Sequence, residues 1–361
     1  MHPFVARPEP RALVAALAAL ALFAGCASTA LPPNSAAAAD AGDSGTLAAD
    51  AAAQDAGGGD ALAGPGDGGN ADANAAADAA AGGDAEAADV ASGPMPAAPV
   101  AFAGECPDLT AGGLVKITSG GFARTVYVSL PPDWSAPSAL LFAWHGLGDN
   151  GNNFSKAFGT ASLAKNNGAV VITPDNCCVK GLKCCSQVSG WSFLDATGGA
   201  DAQLFDDLLS CATQQMNIDT SRVYSTGFSA GGLWTTWLIL NRSEYLAAAA
   251  PFSGGIDGTI VSYLTPKHRL PVLGSFGGVD DQISMGININ FHDMMLELFK
   301  DLRADKHFVV ACDHGGGHTV PMEGPSYAAE FLFKHTFNDG TSPYAASGLS
   351  KKFPDYCSIL P

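Results

Sequence analysis

The stretch Arg222-Val223-Tyr224-Ser225-Thr226-Gly227-Phe228-Ser229-Ala230-Gly231-Gly232 constrains this chain more than any other. Its first five residues read as a strand, and the apolar residues from there to about Leu240 read as a helix. Only a tight turn fits between the two. Gly227-Phe228-Ser229-Ala230-Gly231 matches the G-x-S-x-G pattern, in which small flanking residues permit a strained strand-to-helix turn that lifts the serine hydroxyl clear of a sheet. A strand that feeds straight into a helix belongs to a parallel sheet covered by helices, not to a meander of hairpins.

The rest of the C-terminal chain repeats that alternation. Thr125–Leu130, Ala139–Trp144, Ala169–Thr173, Ala247–Ser253, Pro271–Phe276 and His307–Ala311 read as further strands. Asn153–Lys165, Ala202–Gln215, Asn288–Leu302 and Ser326–His335 have helical spacing. The prediction is an α/β architecture over residues 105–361, with a mostly parallel central sheet and helices on both faces. That length suits one domain with a sizeable core.

Residues before 105 have a different character. Arg7 and Arg11 precede a 14-residue apolar run, Ala12–Gly25, which is too short to span a bilayer comfortably and fits a signal-peptide core. The run ends in Phe23-Ala24-Gly25-Cys26, which resembles a bacterial lipobox. Residues 1–26 are therefore expected to be a lipoprotein signal peptide, with Cys26 lipidated. More than one acyl chain would anchor the protein stably to a membrane. Ala27 after that Cys is compatible with the outer membrane. From 27 to 104 the chain is nearly all Ala, Asp and Gly and cannot bury a core. It is expected to be a flexible acidic tether that would span about 50 Å as a coil. An exported enzyme on such a leash would work in the periplasm or outside the cell.

The net charge of −17 is mostly the tether's. Residues 27–104 hold eleven acidic side chains and no Lys or Arg, the signal segment contributes +1, and the globular part is left with −7. No basic patch interleaved with aromatics appears, so nucleic acid is not an expected partner. Nine Cys are present; setting Cys26 aside leaves Cys106, Cys177, Cys178, Cys184, Cys185, Cys211, Cys312 and Cys357. An even number in an exported domain points to disulfides, in one of 105 possible pairings. Adjacent Cys rarely ligate one metal well, so a metal cluster is not expected.

Ser229 needs a base to take its proton. His318, in Gly315-Gly316-Gly317-His318-Thr319 beyond the last strand, is the first choice and His314 the competitor. The acid should follow the Pro271–Phe276 strand, where Gly277-Gly278-Val279-Asp280-Asp281 offers two carboxylates. Asp280 is preferred, with Asp281 as the fallback. The backbone N–H groups of Ala230 and Leu147 are the candidate oxyanion hole, Leu147 lying in His145-Gly146-Leu147-Gly148. His145 is expected to shape that loop. His268, His292, His307 and His335 are expected in packing or surface roles. Trp191 and Trp234 could line an acyl or aromatic subsite, although packing suits Trp234 better.

Several of these stretches together resemble one family. They are Ala143-Trp144-His145-Gly146, the segment Asn217-Ile218-Asp219-Thr220-Ser221-Arg222-Val223-Tyr224, the turn through Gly232, and Gly315-Gly316-Gly317-His318-Thr319. The chain is similar there to exported polyhydroxybutyrate-depolymerase-like proteins and to feruloyl and acetylxylan esterases of carbohydrate esterase family one. The resemblance covers residues 106–340. It implies an α/β-hydrolase fold, hydrolysis of carboxylic esters through an acyl-enzyme at Ser229, Asp280 and His318, and no cofactor. Feruloyl or acetyl esters of plant polysaccharide, or polyhydroxyalkanoate-type esters, are the expected substrates, and a monomer the expected state. A catalytically inert surface binding module and a serine peptidase on the same fold are the alternative readings.

Overall fold

The computed structural model describes residues 94–133, 135–176, 190–284, 288–338 and 340–361. The expected signal segment, Cys26, the tether up to residue 93, and Cys177, Cys178, Cys184 and Cys185 lie outside the described residues.

Nine strands form one sheet in the order β1-β2-β4-β3-β5-β6-β7-β10-β11. They are β1 (Gly113–Ser119), β2 (Phe122–Ser129), β3 (Ser138–Trp144), β4 (Ala169–Pro174), β5 (Ile218–Phe228), β6 (Ala248–Phe252), β7 (Val272–Phe276), β10 (Val309–Asp313) and β11 (Cys357–Ile359). The six strands from β4 to β10 run parallel, while β1, β2 and β11 pair antiparallel at the two margins. A separate hairpin, β8 (Gln282–Ser284) with β9 (Asn288–Asn290), follows β7. This mostly parallel sheet, with the crossover through β4 and β3, is the α/β-hydrolase arrangement that the resemblance implied.

The central strands are long apolar runs because both faces are covered. Every residue of β3, β4, β6 and β7 is buried, whereas β1 alternates as an edge strand does. On one face lie α3 (Gly199–Gln215), α4 (Ala230–Asn241) and α5 (Phe291–Ala304), which contribute Phe205, Trp234 and Met295 to a core with Leu140 and Phe142. On the other lie α1 (Gly151–Phe158), α2 (Thr160–Asn167) and α6 (Gly324–Leu332), which contribute Phe154, Leu163 and Phe331. A short α7 (Tyr344–Ser347) precedes β11. Helix α4 is buried from Ala230 through Leu240. Its apolarity all round follows from that position.

Three expectations change. The single helix expected over Asn153–Lys165 is two, because Gly159 takes a left-handed φ of 70° and ends α1 before α2 begins. The helix expected from Asn288 starts at Phe291, since residues 288–290 pair with β8 and Asn290 caps the helix by accepting the Asp293 N–H. The packed chain also begins before residue 105. Ala97 donates its N–H to the Glu244 carbonyl, Phe102 donates its own to Ser210 Oγ, and both residues pack on the core.

Two disulfides are described. Cys106–Cys211 ties the N-terminal segment to α3, and Cys312–Cys357 joins β10 to β11.

Candidate active site

The turn after β5 is as tight as its sequence requires. Ser229 has φ 57° and ψ −118°, a conformation that a non-glycine residue adopts only when its surroundings enforce it. The enforcement comes from backbone packed on backbone. A Cβ at Gly231 would strike the carbonyl of Trp144 at the end of β3, and one at Gly227 would strike Gly231. Ser229 N–H donates to the Phe252 carbonyl at 3.0 Å, fixing the turn to the end of β6. The hydroxyl is thereby held at the C-terminal edge of the sheet, at the start of α4.

His318 meets it there. Ser229 Oγ lies 2.9 Å from His318 Nε2, and His318 Nδ1 lies 2.7 Å from Asp281 Oδ1. With the carboxylate accepting at Nδ1–H, the neutral ring keeps its lone pair on Nε2, facing the hydroxyl. Phe291 stacks on the imidazole at a centroid distance of 4.4 Å, and Phe228 covers it at 4.8 Å. The acid loop and the histidine loop touch through their backbones. Gly317 N–H donates to the Gly277 carbonyl at 2.9 Å, and a Cβ at Gly277 would collide with Gly317.

The carboxylate that meets His318 is not the one the sequence favoured. Asp280 ends a 3-10 turn, Gly278–Asp280, with its side chain exposed, and His318 Nδ1 bonds Asp281 instead. Asp281, one residue on, is fully buried. Its Oδ1 accepts from His318, and its Oδ2 accepts from Ser253 Oγ at 2.8 Å and Gly277 N–H at 2.9 Å. The Asp281 carbonyl accepts the N–H of Phe291 at 2.9 Å, so the first turn of α5 draws this residue inward and leaves Asp280 outside. His314, the competing base, is directed elsewhere. Its Nδ1 accepts the Gly316 N–H and its ring faces Tyr356, while burial pushes its pKa below the ordinary value.

Leu147 and Ala230 are brought together. Gly190 lies between them, so that a Cβ there would sit 3.6 Å from Leu147 Cδ1 and 3.7 Å from Ala230 Cβ. A Cβ at Gly146 would lie 3.5 Å from Ser229 Cβ. The Ala230 N–H opens α4, where no carbonyl of the preceding turn is available to it. The direction of the Leu147 N–H follows from peptide planarity, since it points opposite to the Gly146 carbonyl. That carbonyl is held by His145 Nδ1–H at 2.8 Å and by the Asp149 N–H at 3.3 Å.

His145 thus shapes the loop from a wholly buried position. Its Nε2 accepts the Asn176 N–H at 3.2 Å, which places the ring proton on Nδ1, and burial lowers its pKa. Asp175 beside it is raised by its own burial.

Trp191 and Trp234 do not line an open subsite. Both are fully buried; Trp191 packs edge-on against Trp144 and stacks with Trp234, and its indole N–H donates to the His145 carbonyl at 2.9 Å. His268, His307 and His335 have packing roles: His268 stacks on Phe337, His307 bonds the Leu270 backbone, and His335 is buried. Sequence reasoning missed Ser253, Phe228 and Phe291, whose roles rest on contacts between distant segments. Among the described residues no three His, Cys, Asp or Glu side chains cluster to hold a metal ion.

This arrangement can deprotonate a hydroxyl, direct it at an electrophilic carbon, and meet developing oxyanion charge with backbone donors. Comparison with known proteins agrees with that chemistry. The dienelactone hydrolase family matches residues 162–315, a span that holds Ser229 and Asp281 and stops short of His318. Feruloyl esterase D of Neurospora crassa is 30% identical over 171 residues, covering 44% of this chain and 54% of that protein. A bifunctional acetylxylan esterase/xylanase of Neocallimastix patriciarum is 31% identical over 164 residues, covering 45% of this chain and 22% of that protein. The chain thus spans about half or less of the length of these curated relatives. The solved structure of native pOPH superposes with a TM-score of 0.57 at 20% identity, covering 73% of this chain and 98% of the other, and shares the fold.

Proposed function

We propose that the chain is a serine carboxylic-ester hydrolase that works through an acyl-enzyme. The observation that carries the reading is the aligned pair of contacts Ser229 Oγ–His318 Nε2 and His318 Nδ1–Asp281 Oδ1, at 2.9 and 2.7 Å. Ser229 Oγ attacks the ester carbonyl carbon as its proton passes to His318 Nε2. Asp281 holds the ring in the required tautomer and stabilises the imidazolium without taking the proton. The Ala230 and Leu147 N–H groups receive the oxyanion. His318 then protonates the departing alkoxide, and the reverse sequence with water releases the acid and restores Ser229. Every step uses this chain's own groups and water, so no cofactor enters.

The substrates are esters outside the cytoplasm. Acyl groups on plant polysaccharide suit best, given the similarity to feruloyl and acetylxylan esterases, with polyhydroxyalkanoate-type esters as the other class. The Arg-flanked apolar run and Cys26 support export and lipid anchoring, with the acidic segment as spacer and the enzyme a monomer.

Reaction with a fluorophosphonate probe tests the reading. The wild type should label and Ser229→Ala should not. An unlabelled wild type would sink the esterase assignment and favour an inert binding module, and labelling that survives the substitution would sink the nucleophile. Methyl ferulate, aryl acetate, hydroxybutyrate oligomers and a peptide, compared side by side, sort the substrate class and test the peptidase alternative. Palmitate incorporation lost in Cys26→Ser would support the anchor; unchanged incorporation would refute it.

A further inference from the structure

Three non-glycine residues among those described have positive φ: Ser229, Ser253 and Lys306. The first is the proposed nucleophile. Lys306 lies in the connection between α5 and β10. Ser253 has no such local excuse. It follows β6 at φ 47°, is 0% exposed, and precedes Gly254-Gly255, so the chain has glycine to hand yet places a serine at the strained position. A glycine there would be free of the Cβ strain.

The hydroxyl explains the choice. Ser253 Oγ–H donates at 2.8 Å to Asp281 Oδ2, the oxygen that does not face His318. Its backbone is held by donation from its N–H to the Ser275 carbonyl at 2.8 Å, at the end of β7. The preceding carbonyl, of Phe252, accepts the Ser229 N–H. One dipeptide, Phe252-Ser253, therefore ties the serine turn to the carboxylate. A carboxylate with a single donor on Oδ2, Gly277 N–H, could turn about its Cβ–Cγ bond; the second donor fixes its plane and with it the direction of the His318 ring.

We infer that Ser253 is a positioning residue for the relay, acting through Asp281 on His318, and that its backbone strain is retained for that purpose. The inference rests on the esterase reading for its kinetic consequence but not for its geometry. Ser253→Gly is the decisive variant, because it removes the hydroxyl and relieves the strain together. Relief of strain should offset part of the stability lost with the buried hydrogen bond, while kcat on an aryl acetate falls about tenfold to a hundredfold, the loss expected for one hydrogen bond to a charged group, with KM nearly unchanged. Ser253→Ala, which keeps the strain, should lose kcat to the same extent and melt lower than Ser253→Gly. The downfield proton resonance of His318 Nδ1–H gives a readout independent of turnover. It should broaden or shift in both variants as the Asp281 carboxylate loosens.

Unchanged kcat in both variants, a loss confined to KM, or an unaltered Nδ1–H resonance would overturn the inference. So would a kcat loss in Ser253→Ala that Ser253→Gly restores, since strain alone would then account for it. Failure of the wild type to hydrolyse any ester would sink the esterase reading, and the resonance would still decide whether Ser253 holds Asp281.

Discussion

Asp281→Asn isolates the chemistry of the buried carboxylate, because the amide is nearly isosteric and the donors around it dictate how it must sit. Gly277 N–H, 2.9 Å from Oδ2, can only donate. The amide oxygen must therefore face Gly277 and Ser253, since an NH2 group there would oppose a buried donor and leave both unsatisfied, at about 1–3 kcal/mol each. The NH2 then faces His318 Nδ1, at the 2.7 Å now spanned by the Nδ1–H bond to Asp281. It forces Nδ1 to accept, so the ring proton moves to Nε2 and points at Ser229 Oγ. In that tautomer the imidazole cannot receive the hydroxyl proton. A wrong-tautomer relay loses about 10⁴ in kcat, or about 5 kcal/mol of transition-state stabilisation. Asp280→Asn, on an exposed turn, should change kcat by less than about twofold. Initial rates on an aryl acetate, normalised by fluorophosphonate titration and accompanied by a thermal melt, compare the two. If Asp280→Asn carries the large loss, or Asp281→Asn stays within about tenfold of wild type, the tautomer argument is wrong.

Other expectations bear on the scaffold. His335 is 1% exposed, its Nδ1–H bonded to the Phe331 carbonyl and its Nε2 accepting from Ser342, and burial lowers its pKa from 6.5 to about 4. The unfolded chain therefore takes up this proton first. Stability should fall as pH drops from 6.5 toward 4, by up to about 3 kcal/mol, and level off below; urea melts across that range should lose this slope in His335→Gln. Arg124 and Asp201 form a buried ion pair at 2.6 Å, with Asp201 also accepting from the backbone and hydroxyl of Ser192. Arg124→Met should cost about 3–5 kcal/mol in urea titration, and a loss below 1 kcal/mol would show that the Ser192 donors suffice for the carboxylate. The Cys106–Cys211 and Cys312–Cys357 bridges have sequence separations of 105 and 45. Replacing each pair by Ala should cost about 5 and about 4 kcal/mol on the chain-entropy account, and an inverted order would refute it for this domain.

What could be read from the sequence was what depends on near neighbours. The serine turn is local: glycine, strand and helix lie within a dozen residues, and their spacing has few structural solutions. The glycine run before His318 is equally local, and it marks a loop that must approach Gly277 closely. Gly159 carried a helix-ending signal that the apolar periodicity around it masked. The edge strands were hidden for a different reason. β1 exposes Leu114, Lys116 and Thr118 and buries little, and β11 is only three residues long, so neither presents a sustained apolar pattern. Trp191 was misjudged because aromatic character says nothing of which way a ring faces; Trp144 and Trp234, far away in sequence, settle that.

The choice between Asp280 and Asp281 shows where local reasoning must stop. The two are chemically identical neighbours, and the loop pattern, with Gly277 three residues before and Ile283 three after, favoured Asp280. The choice falls to Ser253, Phe291 and His318, none of them nearer than ten positions in the chain. A strained serine after one strand, a helix start after another and a glycine-rich loop after a third all converge on the same carboxylate. Removing any one of them would leave Asp281 buried with fewer partners, and a buried charge is tolerated only while its hydrogen bonds are met. Which carboxylate meets His318 is therefore a property of the assembled strand ends, and the same contacts that select it also aim His318 at Ser229.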